Sequence, residues 1–172
     1  MIKSLIKYPI QFIFFILIQV FVLNNIQLSG YINPFLYVLF ILWLPIEMNK
    51  ALVMLLAFVL GFSVDIFSDT MGMHASASVF LAFVRPVVLR FIAPRDGYEV
   101  NQVPGIKGLG FVWFLTYAFC CVFLHHLFLF FVEVFRFSSV LSTLWRILAS
   151  TGFTIVLILI TQFFNYNSSE TR

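Results

Sequence analysis

The sequence predicts an all-α membrane protein, a compact bundle of about six transmembrane helices, and two observations support that prediction. First, hydrophobic residues make up 62% of the 172 residues and charged residues only 10%, with a mean hydropathy of +1.06. A soluble globule with so few charges would leave large apolar areas in water. Second, the apolar residues fall into stretches near the length of about 20 residues that crosses roughly 30 Å of hydrocarbon. The bilayer is therefore the expected solvent for most of the exterior.

The first apolar stretch follows Lys3 and Lys7, as in a signal peptide, but no small-residue cleavage site comes after it, so we interpret it as a retained span. The second begins at Asn33-Pro34, where proline suits the first turn of a helix. The six predicted spans are 8–27, 33–47, 50–68, 71–92, 108–131 and 139–164. They form one domain, 1–172, with a Pro/Gly-bearing polar loop at 93–107 and a polar tail at 165–172.

The distribution of basic residues predicts the orientation, because short loops rich in Lys and Arg remain in the cytoplasm. Six spans place both termini on one side of the membrane. The opposite loops, near 28–32, 66–71 and 132–138, contain Arg136 as their one basic residue. Both termini are therefore predicted to be cytoplasmic, on the side that receives Lys3, Lys7, Lys50, Arg90, Arg95, Lys107 and Arg172.

The composition argues against several other classes of protein. The basic residues are scattered among apolar runs and form no stripe that would neutralise successive phosphates of a nucleic acid. Cys120 and Cys121 are adjacent, which fits neither a disulfide framework nor a spaced metal motif. Cys121 and His125 share a helix face, but two ligands do not complete a metal site. The chain carries no nucleotide-binding loop, nucleophile elbow or HExxH helix. We therefore expect no enzyme, no metal and no cofactor.

Small residues mark one face of the third span. Ala57, Gly61 and Asp65 recur every four residues, so they share a helix face. In membranes, such faces allow helix backbones to approach closely. Asp69 or Thr70 is a candidate cap in the turn that follows. The fourth span opens with further small residues, so the two spans are predicted to form a tight hairpin, with a partner or packing face of Ala57, Gly61, Asp65, Gly72 and Ser76.

Two interpretations of Asp65 remain open at this stage. A carboxylate near a membrane surface needs a partner or water. It either binds a ligand or partner helix, or it links the hairpin through Ser/Thr hydroxyls and backbone N–H groups. His74 lies in the same hairpin and is expected to be a hydrogen-bonded packing residue.

Other charged residues inside the spans also need partners. Arg85 precedes Pro86, which interrupts the helical hydrogen bonds locally. Its side chain either extends to the cytoplasmic surface alone or pairs with Glu47 there. Arg146, beside Trp145, is expected to anchor its span at the opposite surface or to pair with Glu133 or Asp65.

The residues of the hairpin and the loop after it resemble a known family. Gly61-Phe-Ser-Val-Asp65-Ile-Phe-Ser-Asp-Thr-Met-Gly72 has the spacing Gly-x3-Asp-x6-Gly, and Arg85-Pro86 and Ala93-Pro-Arg-Asp-Gly-Tyr-Glu99 follow. This stretch is similar to the rod shape-determining protein MreD, specifically to the versions found in the Bacteroidetes group. Span number and chain length fit the same family over the rest of the chain.

The resemblance implies a non-catalytic scaffold of the machinery that elongates the bacterial cell wall, in the inner membrane. Its expected partners are MreC, a bitopic protein with a periplasmic domain, and through it the actin-like MreB, the glycosyltransferase RodA and a class B penicillin-binding transpeptidase. Membrane lipid is the other expected contact, and homo-oligomerisation stays open. The family's fold is likened to the six-helix substrate-binding subunits of energy-coupling factor transporters.

Two alternatives compete with the scaffold. A small-molecule-binding membrane subunit, like the substrate-capture component of such a transporter, would share the six-helix plan and arrange Asp65, His74 and Arg146 around an outward pocket. An intramembrane enzyme would need convergent acids, bases or nucleophiles, and the ionisable residues are few and scattered.

Overall fold

Helices dominate the computed structural model, which describes residues 2–26, 32–134 and 140–167. Within these residues, five helices are long and apolar enough to cross a membrane. A 3₁₀ turn, Leu23–Asn25, follows the first helix. The α-helices are α1 (Ile2–Phe21), α2 (Val38–Leu42), α3 (Lys50–Ser68), α4 (Met73–Phe91), α5 (Ile106–Leu109), α6 (Phe111–Val134) and α7 (Val140–Asn167).

Four of these long helices lie close to the spans predicted from hydropathy. Helix α3 begins and ends where the prediction placed it, because the Asn49 side chain accepts hydrogen bonds from the backbone N–H groups of Ala51 and Leu52 and so fixes the first turn. Helices α4, α6 and α7 differ from the predicted spans by three residues or fewer at each end. Helix α1 starts six residues earlier than predicted, and α7 extends into the predicted tail, of which 168–172 lie outside the described residues.

The segment predicted as the second span differs most. It contains only the five-residue helix α2, about 7.5 Å long and far too short to cross a bilayer as a helix. Proline explains part of this difference, because Pro45 disfavours helical geometry at the residue before it. Pro34 lies in non-helical backbone and not in a first helical turn. The expected helix over 33–47 is therefore replaced by a largely irregular segment, 32–48, around one short helix.

This segment nevertheless runs the length of the bundle. We call the end with the α3–α4 turn (Ser68–Met73) the hairpin end, and the end with the 93–105 connection the loop end. Asn33 lines a cavity together with Ser68 at the hairpin end, whereas the N–H of Ile46 donates to the carbonyl of Gln102 at the loop end, over 2.9 Å. Between these points the residues from Phe35 to Leu44 are buried. The segment crosses the core of the bundle and is surrounded by the long helices.

The backbone of this segment is hydrogen-bonded by side chains from other helices. The buried amide of Gln19 in α1 donates to the carbonyl of Pro34, over 3.0 Å, and its oxygen accepts from the N–H of Tyr37. The hydroxyl of Thr154 in α7 accepts from the N–H of Phe35 over 3.2 Å. Irregular backbone is tolerated at membrane depth only where protein groups satisfy it. These polar side chains therefore permit a non-helical crossing.

Helices α3 and α4 form the closest helix pair, and Gly61 sets their separation. A Cβ atom added at Gly61 would lie 2.5 Å from the carbonyl oxygen of His74 and 2.6 Å from Cα of Ala75. Ala57, one turn earlier, is fully buried on the same face. The predicted tight hairpin is present, and only a residue without a side chain fits at its crossing point.

The two ends of the bundle carry different charges. Lys7 of α1 and Gln162 of α7 line one pocket with Pro104 and Gly105, so the first turns of α1 and the last turns of α7 meet at the loop end. Lys50 and Arg90 lie at that end too, at the start of α3 and the end of α4. At the hairpin end Arg146 forms an ion pair with Glu133. Arg136 and Arg172 lie outside the described residues, as do nearly all of the predicted 28–32 loop and most of the 132–138 loop.

Substitution of Gly61 by Ala should destabilise the hairpin, because the new methyl group meets backbone atoms that cannot rotate away. We expect a loss of about 2 kcal/mol or more in the free energy of unfolding, measured as a lower thermal midpoint in detergent. The control is Gly152→Ala in α7, where an added Cβ meets nothing within 4 Å and helix propensity favours Ala by up to about 1 kcal/mol. Equal midpoints for the two variants would show that the α3–α4 crossing does not require Gly61.

Candidate functional site

The carboxylate of Asp65 is the centre of a polar cluster at the hairpin end. Its Oδ2 accepts from the backbone N–H of Ala75 over 2.8 Å, and its Oδ1 accepts from the backbone N–H of His74 over 3.0 Å. The Thr70 hydroxyl and the Nδ1 of His74 also contact Oδ1, at 2.5 and 3.0 Å. Asp65 is 2% exposed. A carboxylate of α3 therefore binds the free N–H groups in the first turn of α4, where a negative charge is stabilised by the helix dipole.

The turn between α3 and α4 brings these groups together. Asp69 ends α3 in the left-handed conformation (φ 53°) and its N–H donates to the carbonyl of Asp65. Gly72 precedes α4 with φ 80° and offers no side-chain cap. Neither Asp69 nor Thr70 caps α4, contrary to the sequence-based expectation, because Asp65 takes that place from the preceding helix. These contacts fit the second of the two interpretations of Asp65, in which its carboxylate links the two helices of the hairpin.

The predicted partner or packing face divides into two parts. Ala57, Gly61 and Asp65 are buried in the bundle and form its packing face. Gly72 is half-buried and Ser76 is exposed. These two residues line an apolar surface groove of about 570 Å³, together with Met54, Phe58, Phe62, Ala75, Val79, Phe80, Phe83 and Phe128.

All three histidines of the chain lie around two aromatic residues of the 32–48 segment. The ring of Phe35 is centred 5.3 Å from the rings of His74 and His126 and 6.2 Å from that of His125. The hydroxyl of Tyr37 lies 2.9 Å from Nε2 of His125. Nε2 of His126 lies 3.3 Å from the hydroxyl of Thr154. The histidines thus pack the irregular segment against α4, α6 and α7.

This histidine cluster does not assemble a metal site. Within residues 2–26, 32–134 and 140–167, no group of three or more His, Cys, Asp and Glu residues is placed to hold an ion. Cys121 is buried one turn before His125, and the Nε2 of that histidine faces Tyr37.

A cavity of about 340 Å³ opens beside the Asp65 cluster at the hairpin end. Its polar lining includes Asn24, Asn33, Thr70, His74 and Glu133, and its apolar lining includes Phe35, Met73 and Leu129. A cavity of this size and mixed lining accommodates a small organic molecule.

Arg85 forms a second polar cluster, deep in α4 and 2% exposed. Its Nε donates to the hydroxyl of Tyr117 over 2.7 Å, and its two terminal nitrogens donate to the carbonyls of Pro45 and Leu44. The Tyr117 hydroxyl in turn donates to the carbonyl of Leu42. Leu42 is the last residue of α2, and Leu44 and Pro45 follow that helix. Arg85 and Tyr117 therefore bind carbonyls at the end of the short helix and just after it.

The structure contradicts both predictions for Arg85, which neither extends to the surface nor pairs with Glu47, and it selects one of the partners predicted for Arg146. Glu47 is exposed and its carboxylate accepts from the N–H of Asn101 over 3.4 Å, so it does not pair with Arg85, nor is it a buried contact. Arg146 pairs with Glu133 over 2.9 Å and lies over the ring of Phe130 at 4.3 Å. Of the two carboxylates considered for Arg146, Glu133 is the partner, because Asp65 is enclosed by the α4 backbone.

The 93–99 part of the resemblance motif is tied back to the end of α4. The Tyr98 hydroxyl donates to the carbonyl of Leu89 over 2.7 Å, and burial raises the pKa of this phenol. The indole N–H of Trp113 donates to the carbonyl of Ile92 over 2.8 Å. Both bonds satisfy carbonyls that the last turn of a helix leaves free.

The site residues predicted from the sequence did not include Gln19, Tyr117 or Thr154. Each is a polar residue inside an apolar run, and such residues usually face the interior of a bundle. That signal was available for Gln19, one of the two glutamines of α1. It did not reveal what the amide binds.

Comparisons with other proteins add no relative to this description. A scan against models of protein families, a search of curated proteins and a search of solved structures each find no significant match.

Replacement of Asp65 by Asn should destabilise the protein. The Asn amide would place N–H donors against the N–H groups of His74 and Ala75, which are donors themselves, and the negative charge that binds the α4 terminus would be lost. We expect a loss of about 2–3 kcal/mol, measured by thermal unfolding in detergent. Asp69→Asn is the matched control, since residue 69 is exposed, Asn tolerates its left-handed conformation, and the effect should stay within about 0.5 kcal/mol. Equal effects of the two variants would contradict the capping role of Asp65.

Replacement of Arg85 by Met should loosen the 32–48 segment, because the carbonyl of Leu44 loses the guanidinium donor while the length of the side chain is nearly kept. The carbonyl of Pro45 also loses this donor and keeps only the N–H of Met48. We expect a loss of about 3 kcal/mol and faster hydrogen–deuterium exchange of the backbone amides of 38–48. Arg90→Met, at an exposed position of the same helix, should leave that exchange unchanged. A similar effect from Glu47→Gln would instead point to a charge pair between Glu47 and Arg85.

Proposed function

We propose that the chain crosses the bacterial inner membrane six times, with its loop end in the cytoplasm. Five crossings are the long helices, and the sixth is the buried 32–48 segment, which connects the two ends of the bundle. The basic residues Lys7, Lys50, Arg90, Arg95 and Lys107 belong to the loop end, as the positive-inside rule requires of a cytoplasmic face. Both termini then lie in the cytoplasm.

We further propose that the protein is a non-catalytic MreD-type scaffold of the cell-wall elongation complex. The Gly-x3-Asp-x6-Gly part of the resemblance motif supports this proposal, because each of its three residues has a structural role in the bundle. Gly61 permits the close crossing of α3 and α4, Asp65 caps α4 and Gly72 shapes the turn. The described residues outside the long helices are the buried 32–48 segment and the connections between helices, so partners would be bound mainly through helix faces.

The groove beside Gly72 and Ser76 is the observation that carries the scaffold proposal. It lies on the outer surface of α3, α4 and α6, where Ala75 and Ser76 of α4 line the groove together with the large rings that form its walls. The rings of Phe58 and Phe62 stack at 5.7 Å, and those of Phe80 and Phe128 at 4.6 Å. Grooves with small residues along one side accept a neighbouring transmembrane helix by close packing. MreC, as a bitopic protein, would offer one such helix.

A ligand-binding subunit is the second candidate, and the cavity at the hairpin end favours it. Asn24, Asn33 and Glu133 surround this cavity, which opens on the side opposite to the cytoplasm in the proposed orientation. A substrate-capture subunit would bind its ligand when purified alone and would associate with ATPase subunits. A scaffold would associate with MreC and would need no ligand.

Filling the groove should break the partner interaction without unfolding the bundle. We expect Ser76→Trp to reduce recovery of MreC about tenfold or more, because the indole would occupy the space of a partner helix. The measurement is affinity purification of the tagged protein from its own host in mild detergent, followed by mass spectrometry. Val156→Trp, at an exposed position of α7, is the control and should recover MreC as the unmodified protein does.

Two results would redirect this proposal. Undiminished MreC recovery with Ser76→Trp, at normal expression and thermal midpoint, would remove the groove as the docking face. Recovery of ATPase subunits in place of MreC and the wall-synthesis enzymes would favour the ligand-binding subunit.

A further inference from the structure

A second polar pocket lies at the loop end, far from the Asp65 cluster and lined by other helices. Its volume is about 310 Å³. It is formed where α1, the 32–48 segment, the 103–108 connection and α7 meet. The residues around it include Lys7, Trp43, Gly105, Lys107 and Gln162.

The pocket is positively charged. Lys7 and Lys107 contribute two ammonium groups, and its described lining includes no Asp or Glu. Lys7 is exposed, so its flexible side chain can reach a bound group. The electrostatic potential inside such a pocket favours an anion.

Gln162 supplies an independent indication that a ligand binds there. The residue is 6% exposed, and its Nε2 is buried without a hydrogen-bond partner among the described residues. A buried amide without an acceptor is unfavourable by itself. An oxygen placed in the pocket would accept from this amide while the lysines neutralise its charge.

We propose that this pocket binds a phosphate group, and that the group belongs to the head of an anionic membrane lipid. Phosphate oxygens match two donors of the pocket, the Gln162 amide and the Lys7 ammonium group, each of which forms a charge-assisted bond with phosphate. The position favours the lipid over free phosphate, since the pocket lies between the ends of α1 and α7, where lipid head groups meet a membrane protein. Basic pockets between helices at the cytoplasmic surface bind anionic head groups in this way. The inference goes beyond the scaffold proposal and depends only on the placement of the bundle in a membrane.

The test uses the full chain in detergent, with phosphatidylglycerol, phosphatidylcholine or inorganic phosphate added. Native mass spectrometry counts the bound lipids, and the thermal midpoint reports binding in solution. Phosphatidylglycerol should remain bound and raise the midpoint, and phosphatidylcholine should do neither. Lys7→Gln and Gln162→Leu should each weaken phosphatidylglycerol binding about tenfold.

Two further variants control for folding and for general surface charge. Gly105→Leu should block the pocket by filling it, and it should fold, because residue 105 has an extended backbone (φ −179°) and an added Cβ makes only ordinary contacts with Gln162, at 3.9 Å. Arg95→Gln removes one exposed charge outside the pocket and should leave lipid binding unchanged.

Each outcome bears on the proposal. Stabilisation by millimolar phosphate, with no additional effect of phosphatidylglycerol, would support the phosphate site and overturn its assignment to a lipid. Equal binding of the two lipids, or equal losses in Arg95→Gln and Lys7→Gln, would overturn the site itself. Normal lipid binding by Gly105→Leu would do the same.

Discussion

The 32–48 segment imposes the constraint on which the rest of the fold depends. Non-helical backbone inside an apolar bundle must find a partner for each amide and carbonyl, because lipid and apolar side chains offer none. Arg85 satisfies carbonyls at the loop end of the segment, and Gln19 and Thr154 satisfy groups at the hairpin end. These hydrogen bonds fix α1, α4 and α7 around the 32–48 segment. The bonds that Arg85 forms also stabilise its buried charge.

The α3–α4 hairpin combines two requirements that depend on each other. The carboxylate of Asp65 reaches the N–H groups of His74 and Ala75 only because Gly61, one turn earlier, lets the helices touch. The close crossing in turn places the carboxylate next to a helix terminus, where its charge is favourable. This contact occupies the inner face of the hairpin, whereas Ser76 on its outer face is exposed.

The separation along the chain between interacting residues explains which features could be predicted from the sequence. The hairpin joins residues 5 to 10 positions apart, such as Asp65 and Ala75, so helix periodicity and turn composition were sufficient to propose it. The partners of Arg85 lie 32 to 41 positions away, and no local pattern points to them. The run from Phe35 to Leu44 is as apolar as a spanning helix, and hydropathy does not distinguish a helix in lipid from an irregular segment buried in protein. The prediction of a sixth helix at 33–47 was therefore wrong about helical geometry, whereas the segment still connects the two ends of the bundle.

The proposed partner groove and the proposed lipid pocket are built from different parts of the chain. The groove belongs to α3, α4 and α6, and the pocket to α1, α7 and the connection before α5. The 32–48 segment lies between them, with Trp43 at the pocket and Arg85 of α4 bound to its carbonyls. A well-packed core transmits a displacement from one surface to another only when its side chains have two alternative arrangements. Substitutions in the groove and in the pocket should therefore act independently, and their effects on the free energy of unfolding should add. A departure from additivity would indicate that the segment couples the two surfaces through Arg85.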